Sequence, residues 1–180
     1  VVIESTGSTL DGFTIPGDNS MYAGVVVMPS CQGASVLNNT ISGMTLSNPG
    51  NGSPLSYGVL AYGNSQTEMP TGTVISGNDI FGIAGSAISL GDYTYLTTIS
   101  NNSLHDIIPV EFLGQPLSVG VQAQLADNVE IIDNQFSNLI VGSNLLFSAG
   151  AVFTNEYNNV ASFLTITEGS PIDVDIADPW

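Results

Sequence analysis

Four short stretches of the chain are one phrase: Val36-Leu37-Asn38-Asn39-Thr40-Ile41, Ile75-Ser76-Gly77-Asn78-Asp79-Ile80, Ile99-Ser100-Asn101-Asn102-Ser103-Leu104 and Ile131-Ile132-Asp133-Asn134-Gln135-Phe136. Each runs apolar, any, small or polar, Asn, polar, apolar, and the asparagines fall at 39, 78, 102 and 134. A phrase that recurs every 20–40 residues or so is the mark of stacked coils, in which each unit buries its apolar face only against its neighbours. Two more stretches fit. Leu10-Asp11-Gly12-Phe13-Thr14-Ile15 carries Phe13 in the Asn place, and Val152-Phe153-Thr154-Asn155-Glu156-Tyr157 carries Asn155. The unequal spacing then reads as loops inserted between coils.

The pattern predicts one all-β domain over residues 1–180, with about six coils at 9–34, 35–72, 73–96, 97–128, 129–150 and 151–168 and an acidic tail at 169–180. The run Leu46-Ser47-Asn48-Pro49-Gly50-Asn51-Gly52-Ser53-Pro54 is dense in turn residues and reads as an exposed loop. Short β-branched runs such as Val25-Val26-Val27 and Gly58-Val59-Leu60-Ala61 read as second strands. No window has the spacing or composition of a helix.

Stacked coils lie about 4.8 Å apart, so equivalent positions form columns. Two apolar columns follow: Leu10, Val36, Ile75, Ile99, Ile131 and Val152, and Ile15, Ile41, Ile80, Leu104, Phe136 and Tyr157. Between them Asn39, Asn78, Asn102, Asn134 and Asn155 are expected to form a structural ladder at a tight bend, taking αL geometry and bonding amide to amide.

The segments Gly12-Phe13-Thr14-Ile15, Asn38-Asn39-Thr40-Ile41 and Asn101-Asn102-Ser103-Leu104 resemble the right-handed parallel β-helix repeats of pectate-lyase-like and NosD-type proteins, over roughly residues 9–167. The resemblance implies a right-handed parallel β-helix. For function it implies little, because this fold serves lyases, hydrolases, tailspikes and surface coats. The lyases use a basic residue as proton acceptor, with calcium bridging carboxylates. The polygalacturonases use paired Asp residues with a His and basic residues. This chain has no Lys or Arg and no Asp-Asp pair.

That absence constrains partners. Basic residues ordinarily make up near half of a charged fraction of about 25%. Here 16 carboxylates face a single His, for a formal charge of -16. Nucleic acid and anionic membrane are excluded as partners of the chain's own charge, since neutralising phosphate needs cations. Trypsin has no site. No apolar run is long enough to span a bilayer. Neither an initiator Met nor a basic, apolar leader stands at Val1, which reads as a processed export product or a trimmed chain. Cys31 is the lone cysteine, so no intramolecular disulfide forms.

Candidate chemistry is sparse, and no residue is assigned a catalytic role. His105 beside Asp106 is an acid/base candidate, outweighed by the plainer reading of a turn residue just outside a strand. Asp79, Asp106 and Asp133 sit in or after the phrase, and Asp92 and Asp127 both follow second strands, where they meet at one corner. Tyr57, Tyr62, Tyr93 and Tyr95 are candidates for a sugar-stacking strip. Asp173, Asp175 and Asp178 offer oxygen ligands for calcium, the one cofactor the residues suggest. Asn51, in an Asn-Gly-Ser sequon within the loop, is the candidate glycosylation site of a secreted chain.

The leading expectation is an exported, extracellular or surface, non-enzymatic structural protein. It would be a homo-oligomeric subunit of a filament, sheath or surface layer, assembled through strand-like coil ends without capping helices. The alternative is a carbohydrate-binding or carbohydrate-cleaving β-helix, with polysaccharide as partner.

Overall fold

The structure, a computed structural model, describes residues 1–45, 55–167 and 172–175. The described residues are strands and connections without a helix. A short strand, β1 (Val2–Ile3), leads in. The first turn of chain lays down β2 (Thr9–Asp11), β3 (Thr14–Pro16) and β4 (Ala23–Val27). The second lays down β5 (Ser35–Leu37), β6 (Thr40–Ser42) and β7 (Ser56–Ala61), and the third β8 (Val74–Ser76), β9 (Asp79–Phe81) and β10 (Gly85–Leu90). The fourth holds β11 (Thr98–Ser100), β12 (Ser103–His105), a hairpin of β13 (Val110–Phe112) and β14 (Gln115–Leu117), and β15 (Val119–Gln124). Then come β16 (Val129–Ile132), the long β17 (Gln135–Leu146), β18 (Gly150–Phe153), the long β19 (Glu156–Thr167) and β20 (Ile172–Asp175).

Successive turns pair in parallel on three faces. The first face is a seven-stranded sheet in the order β2-β5-β8-β11-β16-β18-β20. The second carries β3, β6, β9 and β12, and the third β1, β4, β7, β10 and β15. Because β17 runs unbroken round the corner between them, these two faces join into one 11-stranded sheet. This is a parallel β-helix.

The register follows the apolar columns. Leu10 pairs with Val36, Val36 with Ile75, Ile75 with Ile99, Ile99 with Ile131 and Ile131 with Val152. On the second face Ile15, Ile41, Ile80, Leu104, Phe136 and Tyr157 pair in series. Nearly all these side chains are buried, and Phe136 and Tyr157 stack with ring centres 5.1 Å apart. On the third face a small-residue column, Gly24, Gly58, Ala87, Gly120 and Gly142, stands opposite the second face's large side chains. A Cβ on Gly58 would come within 2.5 Å of Ile80, and one on Gly142 within 2.5 Å of Tyr157. The column is what lets two faces of a thin solenoid close on an aliphatic and aromatic core. Cys31 lies inside that core, its thiol donating to the Ile3 carbonyl at 3.0 Å, and burial pushes its pKa up.

Two sequence expectations need correcting. The αL residue at the first corner is the one before each ladder asparagine and before Phe13 in the first coil: Gly12, Asn38, Gly77, Asn101, Asp133 and Thr154 all have φ between 53° and 74°. The ladder asparagines have ordinary φ, because their work is done by the side chain. Gly, Asn and Asp tolerate αL best, which is why five of these six positions hold them. The second correction concerns the tail. Residues 172–175 form β20 and extend the first face, with Gly150 opposite Ile172 and Phe153 opposite Asp175.

Candidate functional site

The first polar column is internal. Asn39, Asn78, Asn102, Asn134 and Asn155 are each at most 1% exposed. In the middle of the stack each Oδ1 accepts from the backbone N–H and the Nδ2 of the preceding coil's asparagine. Asn78 donates both to Asn102, at 3.0 and 2.9 Å, and Asn102 both to Asn134, at 3.0 and 2.9 Å. Each Nδ2 also donates back to a main-chain carbonyl one coil earlier, as Asn102 does to Ile75 at 2.9 Å. Every donor and acceptor of these central amides is used, so nothing is left for a ligand.

The second polar column is external. Four residues after the ladder asparagines come Gly43, Gly82, Asp106, Asn138 and Asn159, which turn the corner from the second face to the third with φ between 51° and 92°. Asn138 donates to the Asp106 carboxylate at 2.9 Å and Asn159 to the Asn138 carbonyl oxygen at 2.9 Å. Beside this column, on the outward side of the second face, stand Asp79 on β9 and His105 on β12. Strand register puts His105 directly beside Phe81, and the two rings stack at 5.1 Å and 13°. Asp79 is the diagonal neighbour of His105, opposite Ser103, within reach of the imidazole.

His105 is held from both sides. Its Nε2 lies 3.0 Å from Asp79 Oδ1 and its Nδ1 2.8 Å from Asp106 Oδ2. An ionised carboxylate only accepts, so both contacts are filled at once by the doubly protonated ring. Partial burial works to lower the His105 pKa, but the hydrogen bonds and charges of Asp106 and Asp79 outweigh it and the pKa is raised. The same bond from His105, with that from Asn138, holds Asp106 below the usual carboxylate value. The side chains of His105, Asp79 and Asp106 are 27%, 48% and 58% exposed, so the cluster is open to solvent. It can donate a proton and accept hydroxyl hydrogens, with the stacked Phe81 ring beside it.

The hairpin β13–β14 leaves the helix just past Asp106. Beyond it lies a cleft of about 1000 Å³ whose walls include Pro109, Ser118, Gln135, Asn138 and Glu156, over Phe136 and Tyr157. Ser137, on its edge, is the strand partner of His105. Burial pushes the Tyr157 phenol up to about 12, so it stays neutral.

The remaining sequence candidates separate. His105 is a strand residue within β12 and not a turn residue, which corrects the plainer reading made from sequence. Asp133 occupies an αL corner away from the cluster. Asp92 and Asp127 stand on different columns, since Tyr93 bonds Leu125 and Asp127 pairs with Tyr95. Of the tyrosines, Tyr57 packs against Leu55, Ala84 and Val110, whereas Tyr93 is exposed at a corner with φ 63°. Asp173 is exposed on β20, the backbone of Asp175 lies on the same strand, and Asp178 and Asn51 lie outside the described residues. Among the described residues no group of three His, Cys, Asp or Glu side chains is arranged to hold a metal ion.

No protein-family model matches the chain. No curated protein matches it in sequence. Among solved structures it is similar to the periplasmic alginate epimerase AlgG, with a TM-score of 0.70 at 12% identity over 96% of this chain and 39% of that one. It is also similar to the Dettilon tailspike protein, with a TM-score of 0.56 at 13% identity over 97% of this chain and 42% of that one. The chain is a right-handed parallel β-helix. At these identities the likeness is one of fold, and the chain spans less than half the length of either neighbour. Among the described residues no helix is long and apolar enough to cross a membrane.

Proposed function

We propose that this chain is a glycan-binding β-helix, and that the glycan lies along the outward side of β9, β12 and β17, across His105 and into the adjoining cleft. The observation that carries this reading is the Asp79–His105–Asp106 cluster with Phe81 stacked on the imidazole. Carboxylates paired with an aromatic ring match a pyranose, which has vicinal hydroxyls on its rim and an apolar C–H face. Asn138 and Asn159 continue the polar lining towards the later coils. The structural neighbours, an alginate epimerase and a tailspike, lend support, the first being named for its action on a polysaccharide. They weigh against the filament or surface-layer subunit expected first from sequence, and towards the alternative stated with it. Export to the periplasm or cell surface is part of the proposal, as is self-association, for which the tailspike is the relevant neighbour.

Cleavage is the second reading, favoured by the imidazole held between two carboxylates, whose hydrogen bonds raise its pKa and favour its acid form. The test for both is one experiment. The chain and its His105→Ala and Asp79→Asn variants are screened for binding to a glycan array and for release of reducing ends or unsaturated products. Binding that both variants weaken supports the site. Retention of a single glycan by wild type and both variants alike would move the site elsewhere.

A further inference from the structure

The charge of the chain restricts which glycans such a face accepts. A polyuronate or sulfated polymer presents an anion on every sugar or every second one. Recognition of such a polymer by a protein ordinarily uses Arg or Lys, which replace the water lost from the anion with charge-assisted hydrogen bonds. This chain has neither residue anywhere in its 180 positions. Its one side-chain cation is His105, and both ring nitrogens are already taken by Asp79 and Asp106. Two carboxylates therefore outnumber one imidazolium in the cluster, and Glu156 adds a third carboxylate at the cleft. Asn138 and Asn159 each donate one amide hydrogen along the corner column, Asn138 to Asp106 and Asn159 to Asn138, and as neutral groups they bring no positive charge to the face.

At physiological salt the field of surface charges persists for about 8 Å, further than a sugar ring laid on this face would stand from the carboxylates. The remaining side-chain charges, within a formal total of -16, have the same sign. An anionic glycan approaching His105 meets repulsion and finds no donor cation. An uncharged glycan meets carboxylate acceptors suited to hydroxyl pairs, and an amino-bearing sugar adds direct attraction. We infer that the ligand of the His105 face is a glycan without anionic groups, uncharged or amino-bearing, and that polyuronates are excluded. The inference rests on the glycan-binding reading above and refines it. It also separates this chain from its fold neighbour, which is named for alginate, a polyuronate.

The test is a binding panel with the whole chain, in chelator so that no divalent ion bridges carboxylates. The panel pairs uncharged, amino-bearing and uronate oligosaccharides of matched linkage, at low and high salt. The expected result is binding of at least one uncharged member that salt leaves nearly unchanged, attraction of its amino counterpart that salt weakens, and no retention of the uronate. The double variant Asp79→Asn, Asp106→Asn should relax the exclusion and raise uronate retention several-fold at low salt. Uronate binding in chelator as tight as that of its uncharged counterpart would overturn the inference while leaving glycan binding intact. Failure to bind any member would remove the glycan reading itself, and the inference with it.

Discussion

Two polar columns run up this solenoid, four residues apart on each coil, and both hold asparagines in hydrogen-bonded series, yet they differ in burial and in what their bonds leave open. Asn78, Asn102 and Asn134 are at most 1% exposed and bond to one another and to main chain. Asp106 and Asn138 bond to one another, and Asp106 to His105, in open solvent, with the Asp106 side chain 58% exposed. Both columns exist because a parallel stack repeats any side chain at a spacing hydrogen bonds can bridge. Burial decides what each can do. Inside, an unmet amide costs its full desolvation, so every valence is closed and the column holds coils together. Outside, water makes an open valence cheap, so acceptors and a proton can be left for a ligand.

Breaking the inner column should have the largest effect. Asn102→Ala removes the two bonds its oxygen accepts from Asn78 and the two its Nδ2 donates, to Ile75 and Asn134. Stranding several buried groups at about 1–3 kcal/mol each predicts a loss of about 4 kcal/mol. Urea unfolding followed by circular dichroism reads it, and a loss below about 1 kcal/mol would mean the column is not what holds the coils.

Next comes the packing that sets the distance between the faces. A Cβ at Gly120 would collide with the Phe136 ring and approach the Gly142 carbonyl oxygen to 2.7 Å. Gly120→Ala should therefore cost about 2 kcal/mol through overpacking. A thermal melt checks it, and an unchanged midpoint would show that the two faces can part freely.

The outer column should respond to pH where the inner one does not. His105 has a raised folded-state pKa, so the stability it contributes is fully present below its unfolded value of 6.5 and is lost as pH rises through the folded value. Asp106 is lowered, so its contribution is present above 3.8 and is lost as pH falls through the folded value. Urea midpoints of wild type should fall across the first window, and His105→Gln should flatten that slope. An equal slope in the variant would assign the pH dependence to other groups. Smallest of all, Asn138→Gly keeps the left-handed φ of 53° and removes only exposed hydrogen bonds, so it should change stability by no more than about 0.5 kcal/mol. A larger loss, read in the same titrations, would erase the contrast between the two columns.

The fold was legible because the residues that build it repeat in kind. The apolar columns and the bend asparagines each recur as a side-chain type, so unequal loops did not hide them. The glycine column was hidden, because Gly24, Gly58, Gly120 and Gly142 lie in strands whose spacing varies, and glycine reads first as a turn residue. The cluster around His105 was half legible. Its neighbour Asp106 is adjacent in sequence, but Asp79 is 26 residues away and meets the ring only through the diagonal register of two strands. One signal was available: Gly82, Asp106, Asn138 and Asn159 each follow a ladder asparagine by four residues. That fixed offset marks a second corner, and a histidine just before such a corner lies on the outward side of a strand. Exposed polar residues vary in type along a column, since water tolerates any of them, so outer columns repeat less clearly than buried ones.

His105 is the only histidine, so its imidazole gives an unambiguous resonance, and nuclear magnetic resonance of that ring during glycan titration tests the account most directly. The account predicts a ring that titrates above 6.5, held on both nitrogens by carboxylates, with signals that move as an uncharged or amino-bearing glycan saturates the protein. Imidazole signals that stay fixed while the glycan binds to saturation would contradict it and place recognition on another part of the solenoid.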